Sequence, residues 1–190
     1  MLNRDLTAIA AGRHYLIATD GARNGNPAKA GWGVLKQLRE GETVIHQAVY
    51  GAALGDATHI RAEMVAVVQG LSKMADCSVP VIVVTDNKMI MEAMTLGWIE
   101  KWQASEWWVG SKPRLNADVW QKILALAEER TIGWQWVRGH AGNAQNEVAD
   151  MLASRAAKGR YRGAGKSVRD QHRDGHRPGH HRRLCSSVQL

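Results

Sequence analysis

Four carboxylates and one histidine stand where they could do chemistry together. Asp20 ends a short apolar run at residues 14–20, and Asp86 closes the β-branched run Val79-Pro-Val-Ile-Val-Val-Thr-Asp86. Glu63 falls in the first turns of one helical pattern and Asp150 in the second turn of another. His140 lies in Gly139-His140-Ala141-Gly142, just ahead of that last helix. An acid at the end of an apolar strand is costly to bury unless it is paired or bound to a cation. Neighbouring strands lie about 4.8 Å apart, so pairing of the first strand with the fourth makes Asp20 and Asp86 close neighbours. Two close carboxylates raise one another's pKa, and a divalent cation removes the conflict. An all-oxygen donor set without a Cys or His cluster favours magnesium or manganese. An imidazole with an ordinary pKa near 6.5 suits a proton carrier at neutral pH. Taken singly, an Asp after a strand is a common turn former or helix cap, and a lone helical Glu is commonly solvated. The constellation carries the reading.

The elements that must position these groups alternate in a recognisable way. Residues 14–20, 30–39 and 43–54 read as three strands, the last two joined by a hairpin at Glu40-Gly41. Ile60, Met64, Val67, Val68 and Leu71 recur at helical spacing and predict a helix over 58–75. The continuous apolar character of 79–86 suits a strand covered on both faces, as in parallel sheets. A short helix follows to about Leu96, then an irregular, Trp-rich stretch over 98–115 with room for one more short helix. A helix over 116–130, a strand over 131–138 and a helix over 143–157 complete the order. Three antiparallel strands followed by strands separated by helices predict an α/β fold. Its sheet is mixed and five-stranded, three strands antiparallel and then two parallel, with helices on both faces.

Composition narrows the class. The chain has 190 residues, 45% hydrophobic and 23% charged, an ordinary globular balance. No apolar run approaches the roughly 18–20 residues that cross a bilayer. The first twelve residues lack the apolar stretch of a secretory signal, so a cytoplasmic protein without a membrane partner is expected. Cys77 and Cys185 form no metal or redox motif and are expected to be reduced thiols. The formal charge of +7 belongs to the C-terminal segment. From Lys158 onward there are nine Lys/Arg against two acids, whereas residues 1–157 carry sixteen of each sign. Three parts follow: an N-terminal extension (1–13), a catalytic domain (14–157) and a basic tail (158–190) expected to be mostly disordered. Such a tail can hold nucleic acid through counterion release, with strong salt dependence.

Six segments in order resemble type 1 ribonuclease H. They are Thr19-Asp20-Gly21-Ala22 with Gly25-Asn26-Pro27 and Ala30-Gly-Trp-Gly33; Arg61-Ala-Glu63-Met64; Val84-Thr-Asp86-Asn87; Trp98-Ile-Glu-Lys-Trp102; Val137-Arg-Gly-His-Ala-Gly142; and Asn146-Glu147 with Asp150. The resemblance spans about residues 14–158. It implies the ribonuclease H-like fold and an endonuclease that hydrolyses the RNA strand of RNA–DNA hybrids by a two-metal mechanism. The products would carry 5′-phosphate and 3′-hydroxyl ends. By matching position, Asp20, Glu63, Asp86 and Asp150 would hold two magnesium ions, with manganese able to substitute. His140 would move protons or help product leave. Two metals about 3.5–4 Å apart clamp an in-line displacement, one aiming a water and the other stabilising the leaving oxygen. The resemblance further implies that the Gly21, Arg23 and Asn26 turn approaches the RNA strand, and that Thr58 binds a DNA phosphate. Trp98 and Trp102 would contact the DNA strand, with Lys88 also at the substrate. Neither a small-molecule cofactor nor a second subunit is implied, so a monomer is expected.

The chain departs from the family in two places. Two positions ahead of the helical Arg-x-Glu, commonly asparagines that read the minor groove, are His59 and Ile60. Lys88 stands where some members have Gln. The segment between Trp98 and Trp120, lysine-rich in many bacterial members, holds only Lys101, Lys112 and Arg114 against Glu100, Glu106 and Asp118. The basic tail is positioned to supply the grip that this segment gives elsewhere.

Overall fold

A computed structural model describes residues 4–25, 29–74, 76–161 and 163–164. Asn26 and the tail beyond Ala164 lie outside the described residues, and so does the expected disorder over that stretch; the start of the tail, 158–161 and 163–164, is described. In chain order the elements are α1 (Leu6–Ala11), β1 (Arg13–Asn24), β2 (Lys29–Glu40), β3 (Thr43–Gly55), α2 (His59–Ser72), β4 (Val81–Thr85), α3 (Lys88–Thr95), α4 (Trp98–Ala104), β5 (Trp108–Val109), β6 (Lys112–Pro113), α5 (Ala117–Glu128), β7 (Ile132–Trp136), α6 (Ala144–Ala157) and β8 (Gly163–Ala164).

The sheet runs β7-β4-β1-β2-β3-β8. β1, β2 and β3 pair antiparallel, while β1 with β4 and β4 with β7 pair parallel. The five-stranded mixed sheet expected from the sequence is therefore present, with the two-residue β8 added at its edge beside β3. Alternation along the strands feeds two cores. Tyr15, Ile17, Val34, Val81 and Val83 face α2 and α5, whereas Leu16, Ala18, Leu35, Ile82 and Val84 face α1 and α6. Fully burying each of the Val, Leu and Ile side chains among them contributes about 1.5–3 kcal/mol.

The structure differs from the sequence reading in four places. β1 continues to Asn24, so Asp20 lies within a strand, opposite Gly33 of β2, instead of ending it. Residues 6–11, part of the segment read as an extension, form α1, which Asp5 caps by accepting from the N–H groups of Thr7 and Ala8. Leu6 and Ile9 then settle over Gly133 of β7, where a Cβ would lie 2.5 Å from the Leu6 side chain. The Trp-rich stretch holds the short helix it had room for, α4, and adds the β5–β6 hairpin, which the sequence reading lacks. Cys77 is disulfide-bonded and not the free thiol expected.

The three helices that carry or adjoin the carboxylates, α2, α3 and α6, each begin with a side-chain cap. Thr58 Oγ1 accepts from the Arg61 N–H at 3.1 Å and starts α2. Asn87 Oδ1 accepts from Ile90 at 3.2 Å for α3, and Asn143 Oδ1 from Asn146 at 2.9 Å for α6. Such caps each contribute about 1 kcal/mol, and they fix where the helices start relative to the strand ends.

Candidate active site

The parallel register between β1 and β4 places Thr19 opposite Thr85. One step further, Asp20 and Asp86 come level at the same end of the sheet. Glu63 arrives from α2, which crosses β1 so closely that a Cβ on Gly21 would lie 2.2 Å from the Glu63 backbone nitrogen. Only a residue without a side chain permits that crossing. The result is a cluster in which one oxygen each of Asp20, Glu63 and Asp86 lies within 4.8 Å of the others.

The electrostatics of this cluster are those of crowded, buried acids. Asp20 is 5% exposed and Glu63 3%. Burial, then the charges of Glu63, Asp86 and Asp150, push the Asp20 pKa up to about 9, although the Gly21 N–H donates to its Oδ1 at 2.8 Å. Burial also raises the Glu63 pKa, with Asp86 adding to the shift and a hydrogen bond from His59 opposing it. Glu63 Oε2 and Asp86 Oδ1 are buried and have no hydrogen-bond partner among the described residues. Leaving such atoms unsatisfied costs about 1–3 kcal/mol each, more when charged. A hard divalent cation answers all three features: close oxygens, raised pKa values and orphaned acceptors.

Asp150 is not part of the tight cluster. It projects from α6, near enough for its charge to raise the Asp20 pKa, and its Oδ2 lies 3.6 Å from Nδ1 of His140. Ser154 donates to its other oxygen at 3.4 Å. The His140 side chain is 80% exposed, and its backbone takes the left-handed conformation (φ 52°) in the loop between β7 and α6. That loop is tied down by the Gly142 N–H, which donates to Glu147 at 3.1 Å. The structure thus gathers three of the four carboxylates at one point and sets the fourth at the rim with the histidine.

Two neighbours have roles that the sequence motifs did not disclose. Asn146 is buried and donates from Nδ2 to Asp86 Oδ2 at 3.4 Å. Gly139 closes on the same carboxylate, since a Cβ there would lie 2.6 Å from Asp86 Oδ2. An Asn two residues beyond a helix start has an ordinary explanation in the helix itself, so only the fold reveals its partner. The indole of Trp136 donates to the Asp86 carbonyl at 2.9 Å and pins the end of β4 to β7.

The remaining sequence-marked residues lie around this centre. Gly21 is buried beneath α2, and Arg23 is exposed further along β1. Thr58 is exposed at the start of α2, and Lys88 at the start of α3 pairs with Glu92 at 3.4 Å. Trp98 and Trp102, both half-buried, stand 6.1 Å apart by ring centroids on α4. Trp102 also meets Trp120 edge-on at 5.2 Å, and the Arg114 guanidinium lies 4.1 Å from its ring. With Ile60, Met89 and Leu115 these side chains line an open groove of about 510 Å³. Both tryptophans therefore brace the core and face the groove.

A mixed sheet of this order, with acids gathered where β1 and β4 lie side by side and a third acid from the crossing helix, defines the ribonuclease H class of nuclease folds. The comparisons agree. Residues 12–158 match the RNase H family. The ribonuclease H of Zymomonas mobilis is 40% identical over 144 residues, covering 75% of this chain and 87% of that protein. The ribonuclease H of Halorhodospira halophila is 42% identical over 137 residues, covering 72% and 87%. Among solved structures, LC9-RNase H1, a type 1 RNase H with the type 2 active-site motif, superposes with a TM-score of 0.69 at 26% identity, covering 79% of this chain and 74% of that one. The chain belongs to the ribonuclease H family and is an endoribonuclease of RNA–DNA hybrids. Among the described residues no helix is long and apolar enough to cross a membrane.

Proposed function

We propose that this chain cuts the RNA strand of RNA–DNA hybrids with two magnesium ions held by Asp20, Glu63, Asp86 and Asp150, manganese substituting, and leaves 5′-phosphate and 3′-hydroxyl ends. The observation that carries this reading is the meeting of three carboxylates within 4.8 Å, two of whose oxygens are buried without partners. In the absence of a cation, burial and the neighbouring acids favour the protonated form of Asp20. When bound, the ions supply Lewis acidity for an in-line displacement at phosphorus.

The protein's own groups do the rest. Asn146 and Gly139 hold the Asp86 carboxylate from two sides. His140, exposed at the rim, moves a proton at Nδ1 between the site and solvent. By resemblance Gly21, Arg23 and Asn26 serve the RNA strand, whose 2′-hydroxyls distinguish it from DNA in a wide, shallow minor groove. Thr58, Lys88, Trp98 and Trp102 serve the other side, where flat rings suit deoxyribose and base surfaces. The domain works as a monomer in the cytoplasm without a small-molecule cofactor, and its basic tail adds sequence-independent grip.

The test is cleavage of a labelled RNA strand annealed to DNA, in magnesium, beside an all-RNA duplex, an all-DNA duplex and a chelator control. Cutting confined to the hybrid's RNA and abolished by chelator is expected. Binding of the hybrid without cutting, in magnesium and in manganese, would instead identify a non-cleaving module of the same fold.

A further inference from the structure

We propose that His59 is a positioning residue that fixes the Glu63 carboxylate so that one chosen oxygen faces the cation. The inference rests on the metal-binding role of Glu63 given above. His59 and Glu63 stand four residues apart on α2, the spacing that stacks side chains on one helix face. Nε2 of His59 lies 3.3 Å from Oε1 of Glu63. The other oxygen, Oε2, is buried and has no partner among the described residues. One side of the carboxylate is thus engaged by the protein and the other presented. A glutamate has three side-chain torsions, and ordering them costs free energy. A ring N–H on the oxygen that does not face the cation settles the rotamer before the ion arrives.

The bond does not depend on protonation of His59, because a neutral imidazole supplies one N–H. The ring's other side is open: the side chain is 57% exposed, against 4% for Glu63. His59 therefore reaches the site from outside without filling the core, and its removal leaves no cavity in the packing. Its position is one where an asparagine reading the groove would be expected by resemblance. Here the polar end of the side chain turns inward to the acid instead, and Ile60 beside it is 40% exposed with no hydrogen-bonding group to offer.

Groups that orient a metal ligand typically change affinity 10–100-fold when removed. Manganese binding to the substrate-free protein, followed by electron paramagnetic resonance, reads this without catalysis. His59→Ala should weaken binding about 10–100-fold, while His59→Gln, whose amide nitrogen reaches about as far as Nε2, should restore most of it. In turnover, His59→Ala should raise the metal concentration for half-maximal rate and leave KM for the hybrid unchanged, whereas a groove-reading side chain would raise KM. Unchanged or tighter manganese binding in His59→Ala, or failure of His59→Gln to restore it, overturns the proposal. Asp86→Asn is measured in parallel. If it binds manganese as well as the wild type, the metal reading itself falls. If it loses binding while His59→Ala does not, only the role of His59 falls.

Discussion

In metal-free protein, replacing Asp20 by asparagine should stabilise the fold, and the gain should grow with pH. Asp20 has an ordinary carboxylate pKa of 3.8 once unfolded, but about 9 when folded, chiefly through burial and then through Glu63, Asp86 and Asp150. Below about pH 3.8 the group is protonated in both states and contributes no difference. Between there and pH 9 the folded state binds a proton that the unfolded state has released, so stability falls as pH rises through this window. The slope is about 1.4 kcal/mol per pH unit, and it holds wherever the working pH lies between the two values. From pH 5 to pH 7 the wild type should therefore lose about 3 kcal/mol relative to Asp20→Asn. The asparagine is nearly isosteric and keeps an acceptor for the Gly21 N–H, so the comparison isolates the charge. For a chain of this size about 3 kcal/mol corresponds to about 6–12 °C in Tm. Urea unfolding of both proteins at pH 5 and pH 7 in chelator measures it. An advantage for Asp20→Asn that is equal at the two pH values, or larger at pH 5, would refute the reasoning. Magnesium should then narrow the gap at pH 7, because a ligand at a hundred times its Kd stabilises by about 2.7 kcal/mol and the variant lacks one of its ligands.

Four further outcomes follow from the same geometry. Asp86→Asn removes an orphaned oxygen and should lower kcat by a factor on the order of 10³ with an unchanged circular dichroism spectrum; comparable activity would undo the site assignment. His140→Ala should slow turnover about 100-fold without ending it and leave metal affinity intact, as single-turnover kinetics and a manganese titration would show. Gly139→Ala puts a methyl 2.6 Å from Asp86 Oδ2; the carboxylate must swing, so kcat should fall at least about tenfold while stability drops by only about 1 kcal/mol. Truncation after Ala164, which keeps β8 on the sheet edge, should raise KM for hybrid and flatten its salt dependence, since each lost phosphate contact removes nearly one unit of log–log slope; an unchanged KM and slope would show that the tail is a passive extension.

The sequence discloses most of the frame because the frame is written in local patterns. The β-branched run ahead of Asp86 suits a strand covered on both faces, and the spacing of Ile60, Met64, Val67 and Leu71 suits one face of a helix. Once β1 and β4 are taken as parallel neighbours, the meeting of Asp20 with Asp86 follows from strand spacing alone. Elements without periodicity are harder to see. α1 has six residues, too few to show a repeat, and its stability comes from Asp5 and from docking on Gly133. α4 has only seven residues, and its tryptophans suit a helix, a strand or a loop.

The finer arrangement of the site was illegible for a different reason: it depends on contacts between residues far apart in the chain. Nothing near Asp150 tells that it stands at the rim, because its distance from Asp20 is set by how α6 lies on β1 and β2. Nothing near Asn146 announces Asp86, sixty positions away. His59 is the instructive case, since its partner is only one helical turn distant and the spacing alone would have allowed the bond. Two directions compete for that side chain, outward to a groove or inward to Glu63. The choice follows from the burial of Glu63, because a carboxylate taken out of water gains more from a ring N–H than a solvated groove does. Burial of Glu63 depends in turn on Gly21, whose missing side chain lets α2 settle on β1. A glycine in one strand thus determines what a histidine on the next helix does, and that dependence is three-dimensional from its first step.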